Sequence, residues 1–213
     1  MIDTPPFPPL KWDSYQWVGE VVLPSWAGFQ RRSATDLSLL DRQPSDGTAR
    51  LEVESERPRR LMPAKEQATA FRHLLDNEPT VAAAVGQALL AYYTPDWEVY
   101  AERHDLWGSP EVWHLPVVTA VVELRPLLGL AAIRVLSVVN DGTAYVGFVF
   151  GCVWDEGHGV GVLTHRGRVV ATGLAGDICL SRRVASQDAA QQLELSTRPQ
   201  EAERRAAPDR GRM

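Results

Sequence analysis

The sequence predicts an α+β domain in which an antiparallel sheet, ending in a C-terminal meander, packs against a helix pair. Two consecutive amphipathic stretches within residues 63–92 predict the helices. Short β-branched segments separated by turn residues, mostly after residue 132, predict the sheet. The chain has 213 residues, of which 45% are hydrophobic and 23% charged, and this is ordinary for one globular domain that needs no disulfide to stabilise its core.

The amino-terminal part predicts an arm followed by two strands. Residues 1–11 are rich in proline, which favours an extended arm ahead of the domain. Residues 18–23 are apolar and β-branched, and residues 50–54 alternate apolar with charged side chains, so both segments are predicted strands. The cluster at residues 43–47 between them is typical of a turn.

The helix pair follows directly. The first helix begins after Pro63 and ends near Asp76, and Asn77 caps the second, which stops before Pro95. Each helix carries an apolar stripe at helical spacing, formed by Phe71, Leu74 and Leu75 in the first and by Val81, Val85, Leu89 and Tyr92 in the second.

The middle of the chain is less regular. Residues 97–113 are aromatic, charged and interrupted by Gly108 and Pro110, which indicates a structured connection. Residues 117–128 contain β-branched side chains that favour a strand, whereas their length and the pair Leu127–Leu128 favour a short helix. We predict the helix.

The meander is the best-defined part of the sequence. Residues 132–139 form a predicted strand, and residues 140–142 give a hairpin turn into the next one, which begins near Tyr145. That strand is apolar on both faces, with large residues on one and glycines on the other, so we expect it to be central and closely approached from the glycine side. Residues 159–164 and 168–172 complete the meander.

Composition changes after Arg182. Residues 182–213 are dominated by Gln, Ala, Glu, Arg and Pro, which predicts a polar, disordered tail with helix at most over residues 186–195. The predicted organisation is therefore an arm at 1–11, one α+β domain at 12–181 and a tail at 182–213.

Charge and cysteine content exclude several classes of protein. A net charge of −5 argues against general nucleic-acid binding, which requires a basic face. The two cysteines, Cys152 and Cys179, fit neither a disulfide framework nor a metal-binding motif, so we expect a reducing cytoplasm and no cofactor. The amino terminus lacks a secretory signal pattern, and the apolar stretch at 115–139 is interrupted by charged residues, so no membrane span is expected.

Polar residues end the central strand abruptly. Trp154, Asp155, Glu156 and His158 follow the apolar run, and carboxylates with an imidazole are the groups used in general acid–base catalysis and in metal binding. In an extended chain only Glu156 and His158 share a face, which makes them the candidate catalytic residues, and all four are candidate binding residues. The competing interpretation, which the sequence favours, is structural: Asp155 and His158 hold a tight turn.

Chemistry at this position needs further groups. A metal site requires distant donors, for which His104, Asp105, His114, His165 and Asp177 are the available residues, and the sequence does not bring them together, so we predict no metal site. Cys152 with His158 as its base is a possible nucleophile, but its position on the large-residue face favours a buried, unreactive thiol.

The same residues carry a family resemblance. This segment matches a pattern of the form Gly-Phe-x-Phe-x-Cys-x-Trp-Asp-Glu-Glu-His-Gly-Leu-Gly-Val, except that Gly157 stands in place of the second acid and Val160 in place of leucine. The matching residues are Gly147, Phe148, Phe150, Cys152, Trp154, Asp155, Glu156, His158, Gly159, Gly161 and Val162. The chain thereby resembles the bacterial DUF6985 family, over roughly residues 12–177. That family has no established activity, and its members resemble accessory proteins found around bacterial toxin and immunity loci.

These observations lead to two expectations about function. The first is a non-catalytic bacterial protein-binding domain of the immunity or accessory type, acting in the cytoplasm on a toxin or the product of a neighbouring locus, without nucleic-acid or membrane binding. The alternative is a small hydrolase or metal-dependent enzyme that uses Glu156 and His158.

Overall fold

The computed structural model describes residues 1–38, 40–55, 61–104 and 115–206. Within them the strands are β1 (Lys11–Trp12), β2 (Gln16–Val22), β3 (Gln30–Arg32), β4 (Leu40–Pro44), β5 (Thr48–Glu54), β6 (Leu128–Asn140), β7 (Thr143–Cys152), β8 (Val160–His165) and β9 (Arg168–Leu174). The α-helices are α1 (Lys65–Asp76), α2 (Glu78–Tyr92), α3 (Trp97–His104), α4 (Ala175–Ile178) and α5 (Arg183–Ala206), with 3-10 turns at Pro24–Trp26 and Val121–Leu124.

The sheet confirms the predicted fold class. Seven of the described strands form one sheet in the order β1-β2-β5-β6-β7-β8-β9, and β3 and β4 form a separate ribbon. Neighbours are antiparallel except β5 and β6, which are parallel because the chain leaves the sheet through α1 to α3 before it returns. The hairpin between β6 and β7 is tight, with Asp141 and Gly142 both at positive φ, as a two-residue turn requires.

The helix pair covers one face of the sheet. Phe71 of α1 and Val85 of α2 are fully buried in one cluster with Phe148, Phe150 and Val162 of the sheet. Each such side chain contributes about 1.5–3 kcal/mol of transfer free energy. Both predicted helices are therefore confirmed as the main packing layer, although Leu75 of the predicted stripe is 39% exposed and lies outside the core.

Strand β7 is buried along its whole length, as its two apolar faces predict. Helix α4 packs against its glycine face through Cys179, the residue that follows the helix. A Cβ added to Gly147 would lie 3.0 Å from the sulfur of Cys179, and one added to Gly161 of β8 would lie 2.8 Å from that sulfur. These contacts are tighter than side chains tolerate, so the glycines are needed for α4 to approach the sheet.

Two predicted segments differ from the structure. The proline-rich arm is part of the fold, since Phe7 and Leu10 are buried and the Phe7 ring stacks on Phe71 at 5.0 Å. The helix predicted over residues 117–128 is wrong for most of that range, because only Val121–Leu124 form a 3-10 turn and β6 begins at Leu128. Proline-rich composition identifies an extended backbone but not whether its occasional apolar side chains find a place in the core.

The tail also differs from the prediction. Instead of disorder from residue 182, the structure has helix α5 over Arg183–Ala206, and residues 207–213 lie outside the described part. Its first turns are docked: Ala185 is fully buried, and Asp188 accepts hydrogen bonds from Tyr145 at 2.8 Å and Arg168 at 2.7 Å. Two specific polar contacts thus anchor a segment whose composition alone gives no core. No helix of the described residues combines the length and apolarity that crossing a bilayer demands.

Candidate functional site

The candidate site is the signature turn, residues 154–159, which joins β7 to β8. Asp155 organises it: Oδ1 accepts a hydrogen bond from the backbone N–H of His158 at 3.0 Å and lies 2.9 Å from Nδ1 of the His158 ring. The Asp155 carbonyl accepts the N–H of Gly159 at 2.9 Å, and Gly159 has φ +64°, which favours glycine. Three bonds to one residue therefore fix the path of the turn.

A tyrosine from α3 makes a hydrogen bond to the second carboxylate oxygen of Asp155. The Tyr100 hydroxyl donates a 2.6 Å hydrogen bond to Asp155 Oδ2, in a place where Tyr100 is 2% exposed. Burial, reinforced by the bonded Asp155 carboxylate, raises the pKa of Tyr100, so the phenol stays a donor. Both carboxylate oxygens of Asp155 are thus occupied, and its side chain is only 11% exposed.

An aromatic cluster surrounds this bond. The ring of His104 lies 4.7 Å from that of Tyr100 and 5.8 Å from that of Tyr92, whose hydroxyl hydrogen-bonds to Nε2 of His104. Burial and the neighbouring Arg103 guanidinium lower the pKa of His104, and burial raises the pKa of Tyr92 to about 12. At neutral pH this pair therefore carries no charge, and the cluster is a neutral support beneath the turn.

Trp154 and Cys152 belong to the interior. Trp154 is buried and packs edge-on against Tyr93 at 5.1 Å. Cys152 is fully buried, and its S–H contacts the carbonyl of Asp155 at 3.6 Å. Burial raises the pKa of Cys152 to about 12, so the thiol is protonated and is not a nucleophile at neutral pH.

Glu156 and His158 are the two candidate residues that reach solvent. Glu156 is exposed, and the His158 side chain is 65% exposed. Although the sequence places them on one face, no hydrogen bond or ion pair joins them in the part of the chain that the structure describes. Chemically they form a polar surface on a rigid support.

The distant donors do not complete a metal site. His165 lies at the far end of β8, where Nε2 contacts the carbonyl of Asn140 at 3.0 Å, and the length of β8 separates it from the turn by about 15 Å. Asp177 is exposed on α4, whereas Asp105 and His114 lie outside the described residues. No group of three His, Cys, Asp or Glu side chains suited to a metal ion occurs within residues 1–38, 40–55, 61–104 and 115–206.

An arginine that the sequence does not single out lies behind the turn. Arg32 of β3 is 7% exposed, and a Cβ added to Gly151 would lie 2.9 Å from its Cδ. Its Nε donates to the Gln30 side chain and Nη1 to the carbonyl of Leu37, whereas the buried Nη2 has no hydrogen-bond partner in the described residues. Burial lowers the pKa of Arg32, while the neighbouring Cys152 and Glu156 act in the opposite sense.

Tyr100 and Arg32 were both missed for identifiable reasons. Tyr100 lies in a segment read as a connection, although its i, i+4 spacing to His104 is a helical signal. Arg32 lies on a three-residue strand of a ribbon, which is too short to give an alternating pattern.

Comparison with known families supports the family that the sequence resembles. The profile of the family described as a domain of unknown function, DUF6985, matches residues 18–179. The chain belongs to the DUF6985 family. The matched range runs from β2 to the end of α4 and contains Tyr100, Asp155 and His158, so the whole signature turn and its support are DUF6985 elements. No curated protein and no solved structure matched the chain.

Proposed function

We propose that this DUF6985 chain is a non-catalytic protein-binding domain of the bacterial immunity or accessory type. It binds a protein partner, a toxin or a neighbouring-locus product in the cytoplasm, through the exposed side of the signature turn. The supporting observation is that one residue of the turn is held by hydrogen bonds while two others are exposed to solvent. Asp155 is engaged on both carboxylate oxygens, whereas Glu156 and His158 project from the turn that it fixes.

Such an arrangement suits binding because it is preorganised. A partner gains most when the groups it contacts are already held in place, since little conformational entropy is then lost. The Tyr100 bond and the Gly159 bond hold the backbone on either side of Glu156. An exposed carboxylate and an exposed imidazole on a fixed turn present a polar contact surface of defined geometry.

One observation favours a second candidate. The Asp155 carboxylate at 2.9 Å from Nδ1 of His158 has the arrangement of the Asp–His pair in hydrolases, where the other ring nitrogen acts as the base. A hydrolase also needs a nucleophile, and Cys152 is buried with its pKa raised to about 12. Glu156 makes no hydrogen bond or ion pair with His158 among the described residues. The alternative remains a small hydrolase or metal-dependent enzyme using Glu156 and His158.

Site-specific photocrosslinking tests the proposal. A photoreactive phenylalanine analogue replaces Glu156 in the native host, and a matched chain carries it at Lys65, whose side chain is 90% exposed on α1. The expected result is one discrete adduct with a single protein from position 156 and none from position 65. Identical adduct patterns from the two positions would contradict a binding surface at the turn.

Affinity measurements then separate binding from catalysis. With the crosslinked partner purified, the Glu156→Ala and His158→Ala double variant should bind about 10–100-fold more weakly, whereas Lys65→Ala should bind like the parent. The parent and the double variant are also assayed for hydrolysis of ester and peptide pools and for bound metal by elemental analysis. Turnover or stoichiometric metal that disappears in the double variant would favour the enzyme instead.

A further inference from the structure

The last strand of the meander leaves one edge of the sheet open. β9 comes last in the strand order, and its ladder partner is β8. Among the described residues, no backbone hydrogen bond reaches β9 from its other side. An open edge presents unpaired N–H and C=O groups, which a strand of another chain is able to satisfy.

The direction of the unpaired groups follows from a bond at the end of the β8–β9 pair. The N–H of Ala175 donates to the carbonyl of Gly159 at 3.3 Å, in the same register as the pair that contains Gly173. Hydrogen-bonded pairs alternate along an antiparallel ladder, so Gly173 faces β8, whereas Thr172 and Leu174 turn their backbone groups outward. The register shift of this ladder lies nearer the other end of β9 and leaves this segment regular.

The open edge lacks most of the features that prevent pairing with another chain. Soluble proteins protect their edges with very short strands, proline or charged side chains. The opposite edge of this sheet, β1, has only two residues. β9 has seven residues, and after Arg168 they read Val-Val-Ala-Thr-Gly-Leu, without charge or proline. The edge at β9 is therefore the one suited to pairing.

The helix that packs on β9 is also uncharged. After Glu78, no charged residue occurs in α2, and the helix lies against β9 and β8. One flank of α2 is covered, because a Cβ added to Gly86 would lie 2.8 Å from the Val121 side chain. Helical spacing places these exposed or half-buried residues on the opposite flank: Thr80, Ala84, Gln87, Ala88 and Ala91. Surface helices normally carry charges on the face turned to solvent, so an uncharged flank is typical of one that another surface covers.

A second copy of the chain fits this surface better than a charged partner does. The chain carries a net charge of −5, so two copies repel each other, and least where the surface is uncharged. A two-fold axis at Gly173 would let Thr172 of one copy and Leu174 of the other exchange both backbone bonds of an antiparallel pair. Paired strands lie about 4.8 Å apart, so the same axis would bring the two α2 helices side by side on one face of the joined sheet. The alanines on the flank allow these helices to approach closely.

We propose that β9 pairs with β9 of a second copy, which extends the sheet across a two-fold axis and brings the uncharged flanks of α2 into contact. The backbone bonds set the register of this dimer, and the contact between the helices buries apolar surface. No residue of β9 or α2 belongs to the signature turn, so dimerisation and partner binding at the turn are separable by mutation.

Sedimentation velocity of the full chain over about 1–100 µM tests the proposal, because a dimer dissociates on dilution. One test variant, Thr172→Pro, removes an outward N–H that the fold itself does not use. The other, Gln87→Glu with Ala91→Glu, leaves the strand untouched and sets like charges against each other across the axis. The control, Thr69→Glu with Leu75→Glu, adds the same charge at exposed positions on α1, which packs over β6 and β7 away from the edge.

We expect the parent and the control to form a dimer, and each test variant to raise the dissociation constant of the dimer at least tenfold. The backbone amide of Thr172 should also exchange with solvent more slowly in the concentrated parent than in the dilute parent. If Thr172→Pro does not fold, the α2 variant decides the result. The proposal is overturned by a monomeric parent at the highest concentration, by a folded test variant that dimerises like the control, or by exchange at Thr172 that is independent of concentration.

Discussion

Replacing Tyr100 with phenylalanine tests whether the bond to Asp155 holds the signature turn. The change removes only the hydroxyl that donates to Asp155 Oδ2 at 2.6 Å, in a position where the tyrosine is 2% exposed. A hydrogen bond to a charged group contributes about 1.5–3 kcal/mol, and its loss leaves a carboxylate oxygen without a partner in a largely buried place. We expect the free energy of unfolding to fall by about 1.5–3 kcal/mol, or the Tm by roughly 3–12 °C for a chain of this size.

Tyr93 provides a matched control. Its hydroxyl also donates at 2.6 Å, but to the uncharged carbonyl of Pro116, so Tyr93→Phe should cost only about 0.5–1.5 kcal/mol. Urea unfolding of the two variants, measured by tryptophan fluorescence at neutral pH, gives the comparison directly. If Tyr100→Phe costs no more than Tyr93→Phe, the charged hydrogen bond does not stabilise the turn and the argument for a preorganised surface fails.

Three further predictions concern packing, pH and the last helix. Gly161→Ala should lower the free energy of unfolding by about 1–3 kcal/mol, because its Cβ would lie 2.8 Å from the sulfur of Cys179. Gly157 has open space around it, so Gly157→Ala should change the free energy of unfolding by less than about 0.5 kcal/mol in the same urea assay. Burial, aided by the neighbouring Arg103 guanidinium, lowers the pKa of His104 in the folded chain. As the pH falls, the unfolded chain therefore binds a proton on His104 before the folded chain does. The stability that the neutral His104 contributes is complete above about pH 6.5 and is lost as the pH falls through the lowered pKa. His104→Phe should therefore flatten the dependence of urea midpoint on pH between about 7.5 and 5.5, and an unchanged slope would contradict the assignment. Asp188→Asn weakens the anchor of α5, and limited proteolysis should cut that helix roughly tenfold faster than in the parent; equal rates would mean that the anchor does not hold it.

The parts of the fold that the sequence predicts are those set by local pattern. Strand β7 and its hairpin with β6 follow from two apolar faces and from an Asn-Asp-Gly turn, both of which depend on neighbouring residues only. The two helices follow from the spacing of side chains such as Phe71 and Val85. The sequence also predicts close packing at Gly147, because glycines that alternate with large residues in a strand indicate that another part of the chain packs against the backbone there.

The missed features are joined by long-range contacts. Tyr100 and Asp155 are 55 positions apart, and nothing in either segment specifies that they meet. The parallel pairing of β5 with β6 depends on how the intervening helices return the chain, which strand patterns do not encode. Helix α5 is docked through Asp188, a charged residue whose partners Tyr145 and Arg168 lie on two different strands. The sequence predicts a site at the signature turn, but the residues that support the turn come from elsewhere in the chain.

The signature motif is largely a description of the scaffold, and this limits where function can reside. Phe148, Phe150 and Cys152 are fully buried, so they are unable to contact a partner and serve packing instead. The motif residues that reach solvent lie at the turn, where Gly157 stands in place of the second acid of the pattern that the sequence resembles. Because Gly157 has open space around it, the replacement changes the surface charge and leaves the scaffold as it is. Under the proposed function, a chain with an acid at position 157 would present one more negative charge to the partner, so partner choice should follow position 157 rather than the buried positions.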